Sequence, residues 1–100
     1  MYHPHLSWFA LTDDLVYYQD PGHGWIAVPL HRYRDAESFT SSFSFFVASG
    51  DRRWVLIEED ADAGRFLRAH PEIDVATLRS ERLSNADGEL LRRLPRGNEQ

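Results

Sequence analysis

The sequence contains no cysteine and no lysine. Without cysteine the chain cannot form a disulfide scaffold, a thiolate metal site or a cysteine nucleophile, so redox chemistry does not indicate its compartment. All 11 basic residues are arginine, and the formal net charge is −5. A negative chain has no general affinity for nucleic acid, because such binding requires the neutralisation of phosphates.

Long apolar runs and targeting segments are also missing. The longest uninterrupted apolar run, residues 25–30, is far shorter than the roughly 20 residues of a membrane span. Residues 1–5 show neither the basic start nor the apolar run of a signal peptide. We therefore expect no membrane segment and a cytoplasmic protein.

The chain does have enough large side chains for a folded core. Hydrophobic residues make up 42% and aromatic residues 13% of the 100 positions, which is too rich for a disordered chain. No internal repeat is visible, and the length suits one small domain. We expect a single domain over residues 1–100, with a loose tail from about residue 95.

A hairpin is the clearest local prediction. Residues 15–19 and 25–30 are both typical of strands, and the letters PGHG stand between them. Pro/Gly turns between two such runs predict a β-hairpin, in which Gly22 and Gly24 would supply positive φ angles. Because Pro29 cannot donate to a ladder, the second strand either ends there or lies at a sheet edge.

Four other segments are candidate strands. Residues 2–12 contain an apolar group that can form a short first strand, and residues 42–47 alternate with period two. Residues 53–58 follow a turn and are apolar on both faces, which predicts a central strand. Residues 75–83 are either a last strand or a frayed helix, and the pattern favours the strand.

The apolar period then indicates one main helix, with its core-facing positions at Ala63, Phe66, Leu67 and His70. Asp60 or Asp62 can cap its start, and Pro71 stops it. Ser84 and Asp87 resemble a capping box, which predicts a short C-terminal helix ending before Pro95. The predicted fold is α+β: a small antiparallel sheet of about four to five strands, with the main helix packed on it.

The five histidines raise the question of a metal site. None of them has the i, i+4 helical spacing of a zinc enzyme, so the sequence favours no metal and no cofactor. His70 is expected to be a helix-end residue. His23, held between two glycines, is either a reactive group on a loop or part of an ordinary turn, and the pattern favours the turn.

No nucleophile elbow, phosphate-binding loop or dinucleotide fingerprint is present, so no catalytic residue is assigned. The acidic run Glu58, Glu59, Asp60 and Asp62 allows three interpretations. These side chains can bind a divalent cation or serve as an acid–base pair. They can also interact favourably with the backbone dipole at a helix N-terminus, or form a surface that meets a basic partner. The aromatic content also exceeds what one small sheet face hides, so some aromatic side chains are expected at a contact surface.

Three motifs occur in order: GHGWIAVP at residues 22–29, SSFSF at 41–45 and WVLIEEDADA at 54–63. Together they resemble a small uncharacterised domain family of phage, plasmid and other mobile-element proteins. Its pattern is an H-G-aromatic turn, a V-P strand and an E-E-D-x-D-A corner that leads into a helix. The resemblance covers residues 20–70. It implies a small accessory protein that acts on host machinery, and anti-CRISPR proteins are one such class.

These observations give one leading hypothesis and two alternatives. The first is a non-enzymatic protein that binds and inhibits a host protein or nucleoprotein complex. Its partner-binding residues would be Glu58, Glu59, Asp60, Asp62, Trp25 and His23. The second is a small metal-dependent or hydrolytic enzyme that uses His23 with Glu58 or Glu59. The third is a structural homodimer formed through an open sheet edge.

Overall fold

The computed structural model describes residues 14–41, 44–49, 52–84, 89 and 91–93. In this part of the chain the strands and the α-helix are β1 (Val16–Gln19), β2 (Gly24–Pro29), β3 (Phe45–Ser49), β4 (Arg52–Glu58), α1 (Ala63–Ala69) and β5 (Arg79–Arg82). Two short 3-10 helices, Ala36–Phe39 and Val75–Thr77, lie in the connections. The predicted α+β class is confirmed. The predicted first strand at residues 2–12 lies outside the described residues.

The five described strands form one sheet in the order β3-β4-β2-β1-β5. β1 and β2 form the predicted hairpin, with Gln19 opposite Gly24. β2 is the middle strand, and Pro29 is its last residue, so the proline ends the strand rather than marking an edge. β4 lies between β3 and β2, which agrees with its apolar pattern on both faces.

One strand pair departs from the expected antiparallel arrangement, because β5 runs parallel to β1. A parallel pair cannot be closed by a tight turn and needs a crossover connection, usually a helix. Here α1 and the second 3-10 helix carry the chain from β4 across to the opposite edge of the sheet. Residues 75–83 are therefore neither all strand nor a frayed helix: a 3-10 turn precedes a four-residue strand.

Each face of the sheet buries its own apolar cluster. On one face α1 inserts Phe66, which is 0% exposed, against the strands. The strand residues of that cluster are Ile26, Val28, Phe46, Val55 and Ile57. On the other face the strands contribute Val16, Tyr18, Trp25, Ala27, Phe45, Val47 and Leu56, and the described residues that pack there include Leu83 and Leu91. The loops at the hairpin end of the sheet are thus anchored by buried side chains on both faces.

The main helix begins and ends as the sequence predicts, but its capping differs. Asp62 is the N-cap residue, yet its side chain makes no capping hydrogen bond, because its carboxylate is used elsewhere. His70 is the C-cap residue, followed by Pro71. The predicted C-terminal helix and tail lie largely outside the described residues. None of the described helices is long and apolar enough to cross a membrane.

Candidate functional site

Asp20 shapes the loop between β1 and β2. Its Oδ1 accepts hydrogen bonds from the backbone N–H groups of Gly22 at 2.9 Å and His23 at 2.7 Å. Its Oδ2 accepts a third from Arg92 Nη2 at 2.8 Å. Burial alone would raise the pKa of Asp20, but these three donors hold that pKa below its usual value. The carboxylate therefore remains ionised and fixes the loop conformation.

This side-chain bonding replaces the backbone geometry that the glycines were expected to supply. Neither Gly22 nor Gly24 has a positive φ, so that prediction is wrong. Gly24 is required for a different reason. A Cβ at this position would overlap the Tyr17 hydroxyl, and it would lie 2.8 Å from Tyr17 Cε1 and 2.9 Å from Glu59 Oε1. No atom lies within 4 Å of a Cβ built at Gly22.

His23 turns back toward the acidic segment. Its Nδ1 lies 3.2 Å from Glu58 Oε2, with 48% of the His23 side chain and 10% of the Glu58 side chain exposed. An ionised carboxylate only accepts hydrogen bonds, so a hydrogen bond between these atoms requires a proton on Nδ1. The pair thus consists of a nearly buried carboxylate and a half-exposed imidazole.

Backbone bonds join the hairpin loop to the strand-to-helix turn. The Glu59 N–H donates to the Gly24 carbonyl at 2.8 Å, and the Asp60 N–H donates to Glu58 Oε1 at 2.6 Å. The bond from Glu59 to Gly24 and the contact between His23 and Glu58 cross-link two loops that are far apart in sequence, whereas the bond from Asp60 to Glu58 lies within one of them. We call residues 20–24 and 58–60 the acidic corner.

On the helix-bearing face of the sheet, Tyr17 supports the same corner. Its hydroxyl donates a hydrogen bond to the Glu59 carboxylate. Burial, this bond and the charges of residues 58–60 raise the pKa of Tyr17 to about 12. The phenol therefore stays protonated at neutral pH and holds one carboxylate of the corner in place, while Glu59 and Asp60 remain exposed.

Asp62 belongs to a buried network rather than to this surface. It is 1% exposed. Its Oδ2 accepts from Ser41 N at 2.9 Å, Ser41 Oγ at 2.8 Å and Ser44 Oγ at 2.6 Å, and its Oδ1 accepts from Arg65 Nη2 at 2.6 Å. Four donors therefore contact this carboxylate, three at Oδ2 and one at Oδ1. Its position explains why the serine-rich segment before β3 packs against the start of α1.

Trp25 lies beneath the corner and is 2% exposed. Its ring centroid is 5.9 Å from that of His23 and 6.4 Å from that of Phe45, and the Arg92 guanidinium carbon lies 5.5 Å above the ring. Among the described side chains, Trp25 Nε1 is a buried polar atom without a hydrogen-bond partner. The indole supports the hairpin from inside, and the described aromatic side chains are all buried or half-buried.

The structure thus divides the residues singled out by the sequence into two groups. His23, Glu59 and Asp60 are exposed at the acidic corner, whereas Glu58, Asp62 and Trp25 are buried below or beside it. Among the described residues, no three histidine or acidic side chains are arranged to hold a metal ion, and His3 and His5 lie outside them.

Three contacts were missed by sequence reasoning: Arg92 with Asp20, Tyr17 with Glu59, and Asp62 with the two serines. The first two join residues whose separation in the sequence gives no indication that they are in contact. The third had one available indicator, because serines that are buried at the entry to an apolar strand require a hydrogen-bond acceptor. Comparison of the chain with family models, with curated proteins and with solved structures finds no match.

Proposed function

We propose that the chain is a non-enzymatic binding protein that engages and inhibits a host protein or nucleoprotein complex through the acidic corner. One observation carries the proposal: two loops cross-linked by the bond from Glu59 N to Gly24 O and by the contact of His23 with Glu58 present two adjacent exposed carboxylates. Loops fixed before binding lose little conformational entropy when a partner docks.

Charge supports a basic partner. Glu59 and Asp60 are adjacent exposed carboxylates directly after β4, and the whole chain carries a net charge of −5. A basic groove that normally holds nucleic acid is complementary to such a surface, and attraction at long range speeds the encounter. The resemblance of residues 20–70 to mobile-element domains supports a host protein as the owner of that groove.

Two buried acids, Glu58 of the corner and Asp62 outside it, hold the neighbouring segments in place. Glu58 orients His23 and accepts the Asp60 N–H, and Asp62 anchors the segment before β3. Neither side chain reaches the surface, so reversal of either charge would disturb the fold and would not test binding. Glu59 and Asp60 are the positions at which binding can be tested.

The test is affinity capture from a bacterial lysate with the immobilised protein, at low and at high salt. Asp60→Arg is compared with Glu89→Arg, a charge reversal at another exposed position, and Glu59→Arg is then added to Asp60→Arg. We expect a protein retained by the wild type at low salt to associate on the order of tenfold more slowly with the double variant. Glu89→Arg should retain it fully.

Two results would contradict the proposal. One is that no protein is retained by the wild type at low salt. The other is that the double variant retains the same partner with unchanged rate and unchanged salt dependence. Circular dichroism of both variants is the folding control. It should show a retained fold, because neither exposed position contributes to a core cluster.

One contact favours an enzyme as a second candidate. A half-exposed histidine oriented by a nearly buried carboxylate at 3.2 Å has the arrangement of a general base. Under this proposal His23→Gln and Glu58→Gln would both abolish turnover of carboxylic or phosphoric ester substrates. Turnover equal in wild type and His23→Gln would reject it, as would the absence of turnover in the wild type across such a panel.

A further inference from the structure

His70 joins three segments at the end of α1 that is remote from the acidic corner. Its Nε2 lies 2.8 Å from Asp35 Oδ2, in the turn before the first 3-10 helix. Its Nδ1 lies 3.0 Å from Glu72 Oε2, in the turn that follows α1. Only 17% of the His70 side chain is exposed, so the imidazole is a partly enclosed bridge between two carboxylates.

The geometry requires a charged imidazole. Ionised carboxylates accept hydrogen bonds and cannot donate them, so each ring nitrogen must carry a proton to bond its partner. A neutral imidazole has only one N–H, and can therefore keep only one of the two bonds. Removal of one proton breaks one of the two bonds and removes the charge that attracts both carboxylates.

Aromatic packing holds the ring in position for both bonds. The Phe66 ring centroid is 4.7 Å from that of His70, and the Tyr33 ring meets it edge-on at 5.3 Å. The groups that face the imidazole are thus Phe66 from α1, Tyr33 and Asp35 from the turns before the first 3-10 helix, and Glu72. Only Asp35 and Glu72 among them are acidic, so both charges favour the protonated ring.

The pKa values of His70 and Glu72 are both shifted toward the charged form of the side chain. Burial alone would lower the pKa of His70, but its hydrogen bonds to Asp35 and Glu72, and their charges, raise that pKa above its usual value. A hydrogen bond from its own backbone N–H and the bond to His70 lower the pKa of Glu72. The fully bonded cluster therefore persists to pH values beyond the ordinary histidine pKa.

Two residues of the cluster also form the wall of a cleft. A cavity of about 460 Å³ opens between the start of β1 and the segment after α1, and its lining includes Tyr33, Glu72, Ile73 and Asp74. The lining also includes Leu15 and Val16 at the start of β1, both of which are buried. The wall of the cleft formed by residues 72–74 is therefore part of the turn that His70 ties down.

We propose that His70 is a pH-sensitive latch. Protonated, it fixes the turn at residues 71–74 to the turn before the first 3-10 helix, and deprotonated it releases one carboxylate and loosens that wall of the cleft. Because the folded state raises the affinity of His70 for its proton, the latch stabilises the fold fully below the unfolded histidine pKa. That stabilisation is lost as pH rises through the folded pKa. This device is independent of binding at the acidic corner.

Nitrogen-15 and proton NMR of the imidazoles and backbone amides between pH 5 and 9 tests the latch. We expect both nitrogens of His70 to be protonated at pH 6, with a midpoint above the ordinary histidine value of 6.5. The amides of Asp35, Glu72, Ile73 and Asp74 should shift with the same midpoint. In Glu72→Gln, and further in the double variant with Asp35→Asn, the His70 midpoint should fall.

His31 supplies the control, because its exposed ring meets Trp54 edge-on at a centroid distance of 6.0 Å, at another site. His31→Gln should leave the His70 midpoint and the amide shifts unchanged. The proposal is overturned if the amides of residues 72–74 do not follow the His70 titration. An unchanged His70 midpoint in Glu72→Gln, an exposed position that leaves the core intact, would overturn it as well.

Discussion

Arg92 donates a 2.8 Å hydrogen bond to Asp20, a residue 72 positions earlier in the chain. The Asp20 side chain is 4% exposed, so this ion pair is largely shielded from water. The same carboxylate accepts two backbone N–H groups of the hairpin loop. One aspartate thus determines the loop conformation of the acidic corner and also ties the C-terminal segment to it.

The protonation of Asp20 should contribute to acid unfolding. The folded state holds the pKa of Asp20 below its unfolded value of 3.8, so its stabilisation is fully present above that value. It is lost as pH falls through the folded pKa. Urea unfolding between pH 2 and 6 should show a steeper acid loss of unfolding free energy in the wild type than in Asp20→Asn, which carries no titrating group there.

A matched comparison separates this effect from general acid sensitivity. Asp60→Asn removes an exposed carboxylate of the same corner. In this variant the unfolding free energy should fall with acid as steeply as it does in the wild type. If the unfolding free energy falls equally steeply with acid in the wild type and in Asp20→Asn, Asp20 is not the group responsible for that loss.

Asp62 should contribute more to stability than any exposed acid of the corner. Asp62→Ala would leave the Ser41 N–H and the hydroxyls of Ser41 and Ser44 without their acceptor in a buried place. Each such loss costs about 1–3 kcal/mol, and partial relaxation makes a total of roughly 3 kcal/mol reasonable. The midpoint of urea unfolding measures this loss.

Asp60→Ala is the control for that measurement. Because Asp60 is exposed, its replacement should change the free energy of unfolding by less than about 0.5 kcal/mol. Comparable losses in the two variants would mean that the buried network does not stabilise the fold. The comparison also checks that the two acids, both near the start of α1, have different roles.

The two glycines of the hairpin should respond in opposite ways to alanine. Gly24→Ala forces a Cβ to within 2.8 Å of Tyr17 Cε1 and 2.9 Å of Glu59 Oε1, so the phenol must move and the unfolding free energy should fall by about 1–3 kcal/mol. Gly22→Ala meets no atom within 4 Å and has no positive φ. It should be neutral or stabilise by up to about 1 kcal/mol through the unfolded chain.

Thermal or urea unfolding of the two variants distinguishes steric crowding from a simple loss of glycine flexibility. When Tyr17 is already alanine, Gly24→Ala should lower the unfolding free energy by much less, so that the double-mutant cycle shows strong coupling between the two positions. Additive effects in that cycle would place the cost of Gly24→Ala elsewhere than in the contact with Tyr17.

The hairpin, β4 and α1 could be predicted from the sequence because their signals are local. The apolar character of both faces in residues 53–58, and the Pro71 stop after His70, depend only on neighbouring positions. The parallel pairing of β5 could not be predicted in this way, since it depends on where a crossover places residues 79–82. Sequence reasoning also assigned Asp62 to an acidic surface, whereas two serines about 20 positions away, Ser41 and Ser44, hold it in the interior.

The contact between Tyr17 and Glu59 should be visible in an alkaline titration. With a pKa of about 12, Tyr17 should ionise later than an ordinary tyrosine of pKa 10.0. Because the folded state binds the Tyr17 proton more tightly, its stabilisation is complete below pH 10 and falls as pH rises toward 12. Phenolate absorbance should be read immediately after each pH jump, before the chain unfolds.

Two variants assign the late step to this residue. Tyr17→Phe should remove the absorbance step near pH 12, and Glu59→Gln should move it toward pH 10, because the accepting carboxylate and its charge are gone. Glu72→Gln, a change at the other end of α1, should leave the step in place. A late step that persists in Tyr17→Phe would belong to another tyrosine, and the phenol would then not be what holds Glu59 at the corner.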